Sequence, residues 1–143
     1  MQILAIVVLL LAGCATGYQP KGLTGGYSET RLGERAFEVS FEGNGYTNQL
    51  AARRGALHRA AELAVQLGYF GFWVASQDAS VATSVYSQPV SCVSGNCSGG
   101  DATMIQKPTA TITVTMVTWP EAQQPPPGIV VYDARLILSQ PIY

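Results

Sequence analysis

The chain opens with a run that cannot belong to its fold. Ile3 to Leu11 is nine apolar residues without interruption, far short of the roughly 20 a membrane-spanning helix needs but the right length for a signal-peptide core. Ala12 and Gly13 follow, then Cys14, and next a stretch punctuated by Gly17, Pro20 and Gly22 in place of a second apolar segment. Small side chains at the end of such a run are what an export peptidase cuts after. The expected organisation is therefore a signal peptide at 1–13, a connecting tether at 14–22, and a single exported domain at 23–143. The leading Met1-Gln2 carries no Lys or Arg, so only the terminal amine supplies the positive charge that orients such a segment.

Leu11-Ala12-Gly13-Cys14 resembles the lipobox of bacterial lipoproteins. The resemblance implies that the Cys14 thiol is joined to a diacylglycerol, that the peptide is cut just before it, and that the new amino terminus is acylated with a fatty acid such as palmitate. Ala15, not Asp, follows the cysteine; by similarity to the sorting rule of enteric bacteria, this implies the periplasmic face of the outer membrane. Stable anchoring by acyl chains takes more than one of them. The tether from Ala15 to Gly22 reaches only about 25 Å at roughly 3.3 Å per residue, so the domain is expected close to the membrane face.

The net charge is −1, and no cluster of Lys or Arg occurs anywhere. That excludes nucleic acid as a partner and a strong electrostatic grip on anionic lipid, both of which need a basic patch. After the cut, 130 residues remain (143 less 13), enough to bury one core without help. Cys92 and Cys97 are left as a pair, and in an oxidising compartment they are expected to close a disulfide. Between them, Gly95-Asn96, with Ser98-Gly99-Gly100 just after, reads as a loop tip between two strands. A redox or metal role is disfavoured, because C-x4-C is not the C-x-x-C spacing of oxidoreductases and His58 is the sole histidine.

Along the domain the apolar period switches between two values. Gly26 to Leu32 is predicted as a first strand and Gly33-Glu34 as a turn. Phe37, Val39 and Phe41 alternate with Glu38, Ser40 and Glu42, which predicts a strand with one wet side. Gly43-Asn44-Gly45 stops it; ahead of a helix such a turn could accept an anion, but its plain role is a turn. Thr47 or Asn48 is placed to cap a helix over about 48–67. Its apolar stripe is Leu50, Ala56, Leu57, Ala60, Leu63, Ala64 and Leu67, its C-cap glycine is Gly68, and Arg53 falls within the apolar sector, where it must snorkel or find Glu38 or Glu42. On the opposite side, Arg54, His58 and Glu62 form a ladder at helical spacing, read as solvated surface. Phe70 to Ser76 is the next strand. A hairpin follows, with a weak arm at Val81 to Val90 interrupted by Pro89 and a strong arm at Thr109 to Met116 bearing an outward ladder of threonines. After Pro120 and Pro125-Pro126-Pro127, Ile129 to Leu138 closes the chain as an edge strand or a short helix capped by Asp133. The expected fold is α+β: a mostly antiparallel sheet, one amphipathic helix packed on one face, and a long hairpin tipped by the disulfide.

The segments GGYSE (Gly25 to Glu29), FEVSFEGNGYT (Phe37 to Thr47), RAAEL (Arg59 to Leu63), GYFGFWV (Gly68 to Val74) and YDAR (Tyr132 to Arg135) together resemble a family of small, uncharacterised proteobacterial lipoproteins. The resemblance spans nearly the whole mature chain and implies a membrane-anchored α+β domain, with no catalytic residue or ligand to carry over. A fainter similarity, an Ala-rich helix leading into an apolar strand, points to envelope stress-sensor lipoproteins at the level of fold alone.

No G-x-S-x-G elbow, H-E-x-x-H or Gly-rich phosphate loop is present. The expectation is a non-enzymatic envelope protein without metal or cofactor that holds or senses another envelope protein. The alternative is a protein that binds or hydrolyses a small ligand or envelope polymer through Tyr69, Phe70, Phe72 and Trp73. Those aromatics discriminate: lining an open cleft they favour binding, packed flat they are core. For the anchor, Cys14→Ser is expected to leave a precursor that takes up no radioactive fatty acid and does not fractionate with the outer membrane; labelled mutant in that fraction would refute the lipobox reading.

Overall fold

The structure, a computed structural model, describes residues 17–142. Cys14 and the signal segment lie outside the described residues. The domain is α+β, a five-stranded antiparallel sheet with its main helix across one face, and the core lies between the two.

Strand β1 (Gly26–Arg31) pairs antiparallel with β2 (Ala36–Glu42), and β2 pairs with β6 (Ala102–Val117). Alternation places Phe37, Val39 and Phe41 on the buried face, the latter two with no exposed surface. Their facing residues on β6, Val114, Ile112 and Ala110, are buried beside them. The wet face carries the threonines, tied to β2 where the Ser40 and Thr111 hydroxyls meet at 2.7 Å.

Helix α1 (Gln49–Gln66) starts at Asn48, whose Oδ1 accepts from the amide of Ala51 at 2.7 Å. It ends at Gly68, which takes φ +81° in the left-handed cap expected of it. The buried face differs from the expected stripe. Ala52, Gly55, Ala56, Ala60, Ala61, Leu63 and Ala64 are buried, whereas Leu50 and Leu67 are 55% and 48% exposed. The helix rolls toward its smallest residues because these let its axis approach the sheet: Gly55 sits on the Phe41 ring, where a Cβ would lie 2.5 Å from Cδ2. Arg53 is exposed and extends to solvent, and Glu42 pairs instead with Lys21 at 2.9 Å.

The hairpin is longer and more continuous than expected. Phe70–Ser76 and the weak arm are not separate elements; β3 (Gly71–Ser87) is one strand of 17 residues, with a bulge between Val74 and Ser76. It pairs with β6 along its whole length, giving the strand order β1-β2-β6-β3, to which the closing strand at Val131–Asp133 adds on the β3 side. The strand ends before Pro89, which has no amide hydrogen for the ladder. At the tip, β4 (Ser91–Val93) and β5 (Asn96–Ser98) form a second small hairpin.

Beyond β6, the short helix α2 (Trp119–Ala122) is held to the sheet by Arg35, which donates to the Met116 carbonyl and to Glu121. That guanidinium, helped by hydrogen bonds from Thr118, keeps the Glu121 carboxyl down at about 2. The closing segment realises both expected forms in succession. Strand β7 (Val131–Asp133) pairs with Gly71–Trp73, and helix α3 (Ala134–Leu138) follows, with the Asp133 carboxylate accepting from the amides of Arg135 and Leu136.

Gly55→Ala sets two effects against each other. Helix propensity gains about 1 kcal/mol, but a methyl forced against the buried Phe41 ring costs about 1–3 kcal/mol. The second is expected to win, so urea titration should show the midpoint fall; a rise would mean the helix lifts off the sheet without penalty.

Candidate functional site

Two regions of the domain go beyond what folding its core requires, and the expected aromatic site is in neither. Phe72 is fully buried and stacks on Tyr132 at 5.6 Å. Tyr69 is half-buried against the core, beneath the Arg35 guanidinium. Phe70 meets the Trp119 ring edge-on at 4.6 Å. Trp73, half-buried, lies in the ladder between Thr115 and Val131. Phe72, Tyr69 and Phe70 are therefore packing, and none of the four aromatics lines the groove between α1 and α3.

The first region is a polar clasp at the start of the domain. The stretch read as tether is packed from Tyr18 onward: the Lys21 amide donates to the Tyr27 carbonyl and the Tyr27 amide to the Gln19 carbonyl, at 2.7 and 2.8 Å. Gly26, at φ +125°, permits this, since any Cβ there would run into the Gln19 carbonyl. The Tyr18 ring lies on Tyr27 at 4.8 Å and meets His58 edge-on at 4.7 Å, and its hydroxyl donates to Glu62 at 2.7 Å. Burial, and then the bond to the Glu62 carboxylate, pushes the Tyr18 phenol well above its ordinary value.

Arg59 completes the clasp. It bonds the Glu29 carboxylate through two nitrogens, reaches Glu62 at 2.7 Å, and lies over the Tyr27 ring at 4.5 Å. The bonds to Glu29, ahead of those to Glu62, raise the guanidinium above its usual range. The ladder expected to be solvated is therefore corrected. His58 and Glu62 are part of a half-buried cluster with side chains only 16% and 26% exposed, 3.7 Å apart, and only Arg54 of the three is exposed. Tyr18 was not singled out by sequence because Gly and Pro surround it. The one signal was an aromatic ring in a stretch that otherwise has no reason to carry one.

Next to the clasp, a groove of about 520 Å3 runs between α1 and α3. Leu57, Ile137 and Ile142 give it an apolar lining, and Arg54, His58 and Asp133 stand around it. Gly43-Asn44-Gly45 acts as a turn: the Asn44 amide oxygen accepts from the Tyr46 amide and the Thr47 hydroxyl. Among the described residues no three of His, Cys, Asp or Glu come together as a metal site, and no helix is long and apolar enough to cross a membrane.

The second region is the outer half of the hairpin, the arm. From Ala75 to Ser87 and from Ala102 to Gln106 every residue is exposed, and the body comes near this ribbon where Gly45 lies against Ile105. Val81, Val85, Tyr86 and Met104 are each at least half exposed. At the end, Cys92 faces Cys97 across β4 and β5 and is disulfide-bonded to it, the pairing expected from their spacing.

Comparison with protein-family models finds no match to this chain, and comparisons with curated proteins and with solved structures find none either. The geometry alone therefore bears on function. It offers a clasp around Tyr18, a groove beside it and an exposed arm.

Tyr18→Phe keeps the ring stack and removes the bond to Glu62. Loss of a hydrogen bond to a half-buried charge is expected to lower stability by about 1–2 kcal/mol in urea titration; an unchanged midpoint would show that the clasp is held by ring packing alone.

Proposed function

We propose that this protein is a lipid-anchored, non-enzymatic lipoprotein of the bacterial cell envelope. In this reading Cys14 holds it at the periplasmic face of the outer membrane, and the arm is the part that contacts another protein. One observation carries the contact role: an exposed ribbon, Thr83 to Ser87 paired with Ala102 to Gln106, extends beyond the body and ends in a disulfide. A chain under no demand but folding its core would turn at Ala82 and Lys107, since every further residue adds ordering entropy without burial. The lipobox pattern and the likeness to small proteobacterial lipoproteins support the location. In this reading the clasp, which begins four residues after Cys14, keeps the domain near its anchor.

The groove beside His58 favours the second reading, a small-ligand binding protein, since its apolar lining and the neighbouring Arg54 suit a weakly anionic, largely apolar molecule. The arm separates the two readings. Replacing Thr83–Gln106 with Asn-Gly, the two-residue turn suited to such a hairpin, so that it joins the facing residues Ala82 and Lys107, is expected to leave the body folded with its urea midpoint little changed. The same deletion should abolish protein crosslinks from intact cells. Retention of every crosslink and of cellular function would move the contact surface off the arm and favour the groove.

A further inference from the structure

The arm has two open edges, and they are not equivalent. In the body, β7 covers the outer edge of β3 only at Gly71–Trp73, and the loop at Gly128–Val130 stands across an open cleft from it as far as Gln77. From there to Ser87 no strand pairs with that edge among the described residues. Natural sheets protect such edges with charge, proline or a bulge. Here the bulge lies at the root, between Val74 and Ser76, and the next proline is Pro89, past the end of the strand. Ala79-Ser80-Val81-Ala82-Thr83-Ser84-Val85-Tyr86-Ser87 contains no charge, proline or glycine.

An exposed ribbon of two strands is marginally stable in water; three or more strands with a shared apolar face are needed for independent order. The arm meets that condition by acquiring strands, and resting on the reading of the arm as the contact surface, we propose that its partner is the arm of a second copy of this chain. The two β3 edges join antiparallel about a two-fold axis, making a ribbon of four strands.

The sequence of the edge fits this pairing. Facing residues of an antiparallel pair point to the same side, so a two-fold axis normal to the sheet pairs residues of equal parity. The unprotected run Ala79–Ser87 is centred on Thr83. With Thr83 on the axis, Val81 of each copy faces Val85 of the other, and Ala79 faces Ser87. Val81 and Val85 share the face that Ala79 and Ala110 turn toward α1, as the pairs Ala79↔Ala110, Val81↔Pro108 and Val85↔Met104 require. Two Val–Val pairs flanked by Met104 from each copy then form the shared apolar face that a single arm lacks. Ser80 and Ala82 face Tyr86 and Ser84, so no like charges meet, and the arm's charged residues, Asp78, Asp101 and Lys107, stay outside the paired run.

The test uses the purified full-length protein in detergent. Analytical ultracentrifugation is expected to give a dimer, and Thr83→Lys, an exposed change that brings two ammonium groups face to face at the axis, should weaken it roughly tenfold or more. Circular dichroism checks that the variant folds. Under mild oxidation Thr83→Cys should form a covalent dimer while Thr103→Cys, on the other strand of the arm, does not. A wild-type monomer at the highest soluble concentration, a series of higher oligomers, or equal crosslinking of both cysteine variants would overturn the proposal. In intact cells, a photocrosslinker at position 83 that captures a second copy supports it. Capture of only a different protein overturns self-pairing and leaves the arm as a contact surface. No capture at all removes both.

Discussion

The approach of α1 to the sheet governs the rest of the domain. Its contact face is made of one glycine, five alanines and one leucine, so the core is filled mainly from below, by Phe41, Phe72, Ile112 and Met116. The close packing follows from that asymmetry, because large side chains on the strands need a nearly flat helix surface above them. It also fixes the rotation of α1, and so which of its residues reach the rim. Arg59, His58 and Glu62 come to lie over β1 and the N-terminal segment, and Leu57 and Arg54 come to line the groove against α3.

The clasp is a consequence of this rotation. A helix lying a little farther from the sheet would carry Arg59 out of reach of Glu29, and Tyr18 would lose its seat between His58 and Tyr27. Two ionised groups of the cluster have more than one partner: Glu62 accepts from Tyr18 and Arg59, and Arg59 donates to the carboxylates of Glu62 and Glu29. Isolated surface pairs of this kind contribute little. Here the aromatic rings exclude water from one side of the charges, and the network joins three segments remote in sequence, which is why it orders the start of the domain.

How much of this was legible depended on whether the deciding contacts were local. β2, the caps at Asn48 and Gly68, and the Cys92–Cys97 bridge follow from alternation, hydrogen-bonding chemistry and spacing over a few residues, and they are where they were expected. The contact face of α1 was not, because a period of 3.6 identifies an apolar sector but does not say that a tight helix-to-sheet distance favours Gly55 over Leu50. The clasp was hidden for a related reason: Tyr18 and Glu62 are 44 residues apart, and nothing local marks either as the other's partner. β3 was split in two because the expected strand ended at Ser76 and the weak arm began at Val81. The place of the residues between, Gln77 to Ser80, in a continuous ladder is set by β6, whose Ile112 to Thr109 they face.

The arm and the body therefore differ in what holds them. The body is ordered by burial, whereas the arm has only its ladder and the bridge at its tip, and a ribbon held by exposed backbone bonds opens more readily than a packed strand. The bridge acts where the ladder is weakest. Beyond the pair Ser87↔Ala102 the chain passes Pro89 and two glycines at positive φ, Gly99 and Gly100, and without a covalent link little would keep β4 against β5. By closing its own short loop, Cys92–Cys97 holds β4 against β5 and leaves β3 and β6 to their ladder. The register of the long strands is therefore set at the root of the arm, where β6 lies between β2 and β3 in the packed sheet, and the bond at the tip orders only what lies beyond them.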